Sequence, residues 1–298
     1  MIIWLASYPR SGNTLLRTTL KQTMNLGSYS DELPPPNLDF TEIVQEEFGH
    51  LPLIGPWEDF YEMATTSKKV YLIKTHLPPQ DDQPVIYVVR DGRHSLVSYH
   101  QYHQKFFPEY HGGLIELILG SDYYGSWSEH HANWTAGKRK VLLLRYEELV
   151  NASPELLKSI AQFIGHDVPI MKWTNPFDQL HKENPDFFRI GKIAWQGSQG
   201  WSELINEVFF TLHGDLMSTL GYATQESVEK IRASLPAELK EFIMVSASTQ
   251  AEKKRLENTC KEQLSTISML NTQLNNCPAQ KCKQVGILCW RWLRHLFH

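Results

Sequence analysis

Four short, unbroken apolar runs punctuate the first half of the chain: Ile2-Ile3-Trp4-Leu5-Ala6, Val70-Tyr71-Leu72-Ile73, Val85-Ile86-Tyr87-Val88-Val89, and Val141-Leu142-Leu143-Leu144 within 140–145. Each is too short for a helix and lacks polar alternation, the pattern of a strand covered on both faces. Helical stretches follow at Leu15–Leu20 and His94–Tyr102, and a third opens at Ser153-Pro154-Glu155 with an N-cap serine and a first-turn proline. Apolar strands separated by helices predict an α/β fold of three layers, with a mostly parallel central sheet. Such sheets bind ligands beyond the carboxyl ends of their strands. Polar clusters at Arg10, Lys74 to His76, Arg90 and Tyr146 all follow strand ends, so this architecture would bring them together.

Composition narrows the picture. The chain has 298 residues, 42% hydrophobic and 21% charged, with a formal net charge of −4, values of a globular protein with no general affinity for nucleic acid. Residues 1–225 carry 18 Lys and Arg against 26 Asp and Glu, whereas residues 226–298 carry 11 against 7, with no acidic residue after Glu262. All four cysteines, Cys260, Cys277, Cys282 and Cys289, fall in the later part. A cysteine-free body, with neither a signal peptide nor a membrane span in the sequence, predicts a cytoplasmic location.

The shift predicts two parts, a body over 1–225 and a helical, basic C-terminal extension over 226–298. Leu256, Cys260, Gln263, Ile267, Leu270, Leu274 and Cys277 recur at steps of four and three, the spacing of a coiled coil. The spacing suits a homo-oligomer or a helix folded on the body. The terminal Trp290-Arg291-Trp292-Leu293-Arg294 suits peripheral contact with an anionic membrane or with the acidic body. Residues 25–69, turn-rich around Pro34-Pro35-Pro36, are expected to line an entrance.

The first strand leads into Ser7-Tyr8-Pro9-Arg10-Ser11-Gly12-Asn13-Thr14 and then a helix. Strand, small polar loop and helix start form an anion cradle, where backbone N–H groups converge and the helix dipole adds positive charge. Gly12 permits close approach, Arg10 supplies charge, and Ser11 and Thr14 supply hydroxyls. A triphosphate loop would need lysine directly after the glycine; Asn13 stands there, which disfavours an ATPase or a nucleotide kinase-like phosphotransferase.

Tyr8-Pro9-Arg10-Ser11-Gly12-Asn13-Thr14 resembles the 5′-phosphosulfate loop of sulfotransferases that use 3′-phosphoadenosine 5′-phosphosulfate (PAPS), the opening stretch most like bacterial members. Val88-Val89-Arg90-Asp91-Gly92-Arg93-His94-Ser95-Leu96-Val97-Ser98-Tyr99 resembles their 3′-phosphate motif. The resemblance covers roughly residues 1–222 and implies a P-loop-like phosphosulfate-binding loop, PAPS as donor co-substrate, and donor contacts from Arg10, Ser11, Gly12, Asn13 and Thr14. It further implies that Arg90 and Ser98 hold the 3′-phosphate and that Tyr146 lies near adenine. Phe188-Arg189-Ile190-Gly191-Lys192 resembles the family's Arg-Lys-Gly stretch with Ile190 in place of its lysine, which marks Arg189, Gly191 and Lys192 as further 3′-phosphate contacts.

Lys74-Thr75-His76-Leu77-Pro78 resembles the segment carrying the family's catalytic histidine. His76 is accordingly the expected base and Lys74 the balancing charge, with Arg10 beside the bond that breaks. Arginine is a weaker proton donor to the leaving group than the lysine many cytosolic members carry there. No grouping of His, Cys, Asp and Glu in the body has metal-ligand spacing, so no metal is expected. The acceptor, a small molecule or a glycan or lipid with a hydroxyl or amine, would meet aromatic residues such as Tyr61, Tyr102, His103, Phe106, Phe107 and Tyr110, with His100 nearby. A nucleotide-binding scaffold without transfer activity is the alternative.

Overall fold

The computed structural model describes residues 1–32, 46–107, 109, 111–167, 169–183, 195–198 and 200–275, without the side chains of 258, 261, 262, 265 and 270–275. Arg189, Gly191, Lys192 and Tyr110 lie outside the described residues, as do Cys277, Cys282, Cys289 and the terminal Trp-Arg segment.

Five strands form one parallel sheet: β1 (Ile2–Ser7), β2 (Tyr29–Ser30), β3 (Tyr71–Thr75), β4 (Val85–Val89) and β5 (Val141–Arg145), in the order β2-β3-β1-β4-β5. Four of them match the four apolar runs. The fifth, β2, is only two residues long, too short to show any period in sequence. Because β3 and β4 flank β1 on opposite sides, the strand order reverses beside β1, the position where open α/β sheets form a ligand crevice.

The pleat explains the three layers. Alternate β1 residues point to opposite faces, so Ile2, Trp4 and Ala6 enter one core while Ile3 and Leu5 enter the other. On the second face, α1 (Asn13–Met24), α6 (Tyr146–Val150) and α7 (Pro154–Ile164) contribute Leu16, Leu20, Leu149, Leu157 and Ile160. The first face is covered by α2 (Trp57–Thr66), α3 (Gly92–Phe106), α4 (Leu114–Leu119), α5 (Trp127–Thr135) and α9 (Glu203–Thr219). A Cβ on Gly92 would lie 2.8 Å from Trp127 and 3.0 Å from Phe209, so glycine there lets three helices close up. Elsewhere α8 (Phe177–Glu183) follows the loop after α7. Ser153 caps α7 by accepting from Leu156 N at 3.2 Å, with Pro154 in the first turn, as its sequence predicts.

The compact unit runs from Met1 to Ser248, past the change of composition at Gln225. Within it, α10 (Gln225–Ser234) buries Val228, whose Cγ1 would be 2.5 Å from a Cβ on Gly214 of α9. Leu235, and Ile243 near the start of α11 (Ala237–Asn275), are buried in the same core. The second unit, Thr249–His298, is described as helix through Asn275, with Leu256, Cys260 and Ile267 exposed. No helix among the described residues is long and apolar enough to cross a membrane.

These burials decide where the chain can be cut. Removal of residues after Ser248 is expected to leave the urea midpoint unchanged, whereas removal after Thr224 is expected to lower it sharply. Val228→Ala alone is expected to cost about 2 kcal/mol of unfolding free energy in the same titration.

Candidate active site

The sheet registers align Ser30 with Lys74 and Leu5, and Ser7 with Val88 and Leu144, so the segments after these parallel strands emerge at one end. The loop after β1 turns back through Arg10 and Gly12, both at positive φ, 62° and 111°. Ser11 N donates to Tyr8 O at 3.1 Å, closing the turn. Gly12 is required twice over: its backbone is left-handed, and a Cβ would lie 2.7 Å from Tyr146 Cδ2. Helix α1 starts directly after it. Among the described residues no side chain caps this start, and its first turn holds no acidic residue. First-turn N–H groups and the helix dipole therefore face the crevice, and no acidic residue in that turn neutralises them.

Two side chains of this loop, Ser11 and Asn13, turn toward the interior. The Ser11 hydroxyl lies 2.9 Å from that of Ser95 on α3, both fully buried. Asn13 Nδ2 donates to Leu5 O at 2.7 Å. These bonds fix the loop to the sheet and to α3, leaving its backbone as the donor surface. Thr14, half-buried, occupies the first turn of α1.

Arg10 joins the two predicted anion segments. Its Nε donates to Ser98 Oγ at 3.3 Å, and its carbonyl oxygen accepts from Arg90 Nη1 at 3.3 Å. Arg90 leaves β4 and lies over the Tyr146 ring, 4.2 Å from its centroid. Gly12, Tyr146 and Arg90 thus stack in sequence. Burial raises the Tyr146 phenol, so this ring stays neutral. Glu147 and Glu148 sit in the first turn of α6, and Glu147 accepts from Tyr222 OH at 2.9 Å.

His76 is held on three sides. Its Nδ1 lies 2.7 Å from Ser7 O, and a carbonyl can only accept, so Nδ1 carries the proton and Nε2 keeps its lone pair. Its carbonyl oxygen accepts from His130 Nε2 at 2.9 Å, and its N–H donates to Glu32 Oε2 at 3.0 Å. Trp134 on α5 fixes the next residue by donating to Leu77 O at 2.9 Å. Burial, then the charge of Lys74, lower the His76 imidazole to about 3, against the opposing pull of Glu32, so the ring is neutral near pH 7.

Glu32 is the residue that sequence reasoning missed. It follows β2 in the stretch read only as an entrance lining, and nothing in the sequence shows that β2 pairs with β3. The register sets Ser30 beside Lys74. Glu32 Oε2 then meets Lys74 Nζ, while Oε1 accepts from Tyr124 OH at 2.6 Å. Burial pushes this carboxyl up, but His76, Lys74 and the hydrogen bonds from Lys74 and Tyr124 outweigh it and hold it at about 2. Neighbouring Asp31 is raised to about 7, mainly by burial.

Aromatic rings lead away from His76. Tyr124 is 5.9 Å from it, Tyr99 6.2 Å from Tyr124, and Tyr102 6.5 Å from Tyr99, with Phe106 and Phe107 beyond. Arg10 lies 5.1 Å over the Tyr102 ring. His103 packs on Tyr99 at 4.2 Å. Tyr61, expected in this lining, instead stacks on Trp4 at 6.4 Å and donates to Asp81, at a level of the sheet well below His76. Among the described residues no group of three or more His, Cys, Asp and Glu could hold a metal ion.

The titrations set a sign for stability against pH. Burial depresses His76 to about 3 and His213 to about 4, both from 6.5, so between these limits the unfolded chain binds two protons that the folded chain does not. Asp31, raised from 3.8 to about 7, works in the opposite sense over an overlapping range. With His50, His100, His103 and His131 also lowered by burial, the histidines outweigh Asp31: unfolding free energy is expected to rise by roughly 1 kcal/mol or more per pH unit from about pH 4.5 to 6.5. Asp31→Asn should steepen that slope in urea titrations across the window.

A family model described as "Sulfotransferase domain" matches residues 2–184. Sulfotransferase 4A1 of Mus musculus is 29% identical over 181 residues, covering 55% of this chain and 59% of that protein. The 3-alpha-hydroxysteroid sulfotransferase of Cavia porcellus is 28% identical over 177 residues, covering 53% and 57%. The matches thus span less than two thirds of these relatives' length. The crystal structure of mouse sulfotransferase SULT7A1 complexed with PAP superposes with a TM-score of 0.49 at 21% identity, covering 78% of this chain and 87% of that one.

Proposed function

The chain belongs to the sulfotransferase domain family, and from that premise we propose that it transfers a sulfuryl group from PAPS to a hydroxyl or amine of a small-molecule acceptor. The observation that carries this reading is the bridge made by Arg10, which ties the uncapped start of α1 to Arg90 and Ser98. A donor with phosphate groups at both its 5′ and 3′ positions needs two neighbouring anion subsites, and a magnesium-dependent triphosphate site would need a lysine that is absent after Gly12.

In this reading the backbone N–H groups from Gly12 to Thr14 hold the 5′-phosphosulfate, with Ser11 and Asn13 acting through the main chain. Arg90 and Ser98 hold the 3′-phosphate and Tyr146 borders the adenine; Arg189, Gly191 and Lys192 would complete that subsite. His76 Nε2 accepts the acceptor's proton as the acceptor atom bonds to sulfur. The bond from sulfur to the bridging phosphate oxygen breaks, and its electron pair leaves with adenosine 3′,5′-bisphosphate. Arg10, Lys74 and the α1 dipole stabilise the charge that develops. The rate derives from positioning and electrostatics.

The aromatic path through Tyr124, Tyr99 and Tyr102 favours an acceptor with an apolar or aromatic body. Exposed Leu256 and Ile267, at coiled-coil spacing, support self-association through the 249–275 helix. A cytoplasmic location fits a compact unit without cysteine.

The reading is tested by mass spectrometry of products from an acceptor library supplied with PAPS. Adenosine 3′,5′-bisphosphate is expected to bind without magnesium, and Arg90→Ala to weaken it by roughly tenfold or more. His76→Ala is expected to cut turnover about 100- to 10,000-fold while bisphosphate binding persists. Near-normal turnover in that variant would remove His76 as the base.

A further inference from the structure

We propose that Glu32 is a positioning residue for this chemistry: its carboxylate clamps Lys74 and the main chain of His76 to the end of the sheet and to Tyr124. The inference rests on the transfer reading above and adds a residue to it.

Geometry carries the assignment. Two segments far apart in sequence, and both far from Glu32, end at its carboxylate. Oε2 takes Lys74 Nζ from β3 and the His76 N–H from the turn after it, and Oε1 takes the Tyr124 hydroxyl from the loop before α5. The side chain is largely buried, 13% exposed against 15% for Lys74, so water does not compete strongly for these bonds. The other anchors of His76, Ser7 O and His130 Nε2, hold the imidazole and the carbonyl respectively. Neither reaches Lys74. Glu32 alone among these partners fixes the histidine and the lysine relative to one another.

Two physical effects follow. The clamp helps set the direction in which Nε2 faces, because the peptide groups on both sides of the His76 Cα are held, the preceding one at its N–H by Glu32 and the following one at its C=O by His130. The carboxylate also offsets the Lys74 charge and favours the imidazolium that forms when His76 takes a proton. Among the described residues, Lys74, His130, Tyr124, Tyr102 and Asp31 are the other titratable groups acting on this pair. Glu32 is poorly suited to be the base itself. Both of its oxygens already accept hydrogen bonds, whereas His76 Nε2 keeps a lone pair for the acceptor's proton.

Glutamine keeps the acceptor oxygen for Lys74 and His76 and discards the charge; alanine discards both. Turnover with PAPS is expected to fall about tenfold in Glu32→Gln and about 100-fold in Glu32→Ala, with the Michaelis constant for PAPS nearly unchanged in both. Loss of the charge is further expected to move the His76-dependent limb of the pH–rate profile to lower pH in Glu32→Gln. If Glu32→Gln is as inactive as Glu32→Ala while His76→Ala remains active, Glu32 is the base and the proposal is overturned.

A second measurement needs no turnover. Nitrogen-15 NMR of the imidazole should show His76 protonated on Nδ1 in the wild-type chain and in Glu32→Gln, and a mixture of tautomers in Glu32→Ala. An unchanged single tautomer and an unchanged His76 titration in both variants would overturn the clamp. Should the wild-type chain transfer nothing, the transfer reading fails, and this NMR comparison still decides the role of Glu32. Glu32→Gln, nearly isosteric, covers the case in which Glu32→Ala does not fold.

Discussion

A parallel strand with a neighbour on each side leaves few peptide groups for water and no face for solvent, and β1 is the central one of the three such strands here. Its six residues are all buried, alternate ones feeding two separate cores. Since β3 and β4 both pair with it, the loop leaving β1 emerges where the two halves of the sheet diverge. Most features of the site depend on that placement. The cradle at Gly12, the Ser7 carbonyl that sets the His76 tautomer, and the approach of Arg90 to the Arg10 carbonyl all follow from the same strand end.

Charge is arranged around the same point with little slack. Arg10, Arg90 and Lys74 concentrate positive charge at one end of a body whose overall balance is acidic. Each is held by a neutral or compensating group: Arg10 by the Ser98 hydroxyl and the Tyr102 face, Arg90 by the Tyr146 face, Lys74 by Glu32. Aromatic faces attract guanidinium without neutralising it. Lys74, by contrast, has its charge partly compensated by the Glu32 carboxylate before any ligand arrives.

How much of this was legible in the sequence depended on the range of the signal. Apolar runs of four or five residues revealed four strands, and a polar cluster after each made the shared strand end readable. The two-residue β2 has no period, so its pairing with β3, and with it the place of Glu32, could not be read. Residue type also misdirected at the loop. Ser11 and Asn13 are good anion donors in principle, yet each satisfies a buried partner of the scaffold, a competition invisible before the fold is known. At the other end, the change of charge at Gln225 describes surface, whereas Val228, Leu235 and Ile243, sparse apolar positions on two largely polar helices and the turn between them, tie this stretch into the core. The basic turn around Arg189 lies outside the described residues, so its sequence reading stands by itself.

The position of β1 also has a cost in time. The strand is synthesised before either of its partners, and residues 8–70 separate it from β3. Until Tyr71–Thr75 and then Val85–Val89 are in place, Ile2 to Ala6 have nothing to pair with and form an adhesive apolar stretch on a growing chain. Parallel pairings of such separation close slowly because the intervening loop must first lose its freedom. Folding of the cradle is thus deferred until β4 is complete, and the interval before then is when the chain most needs shielding from its neighbours.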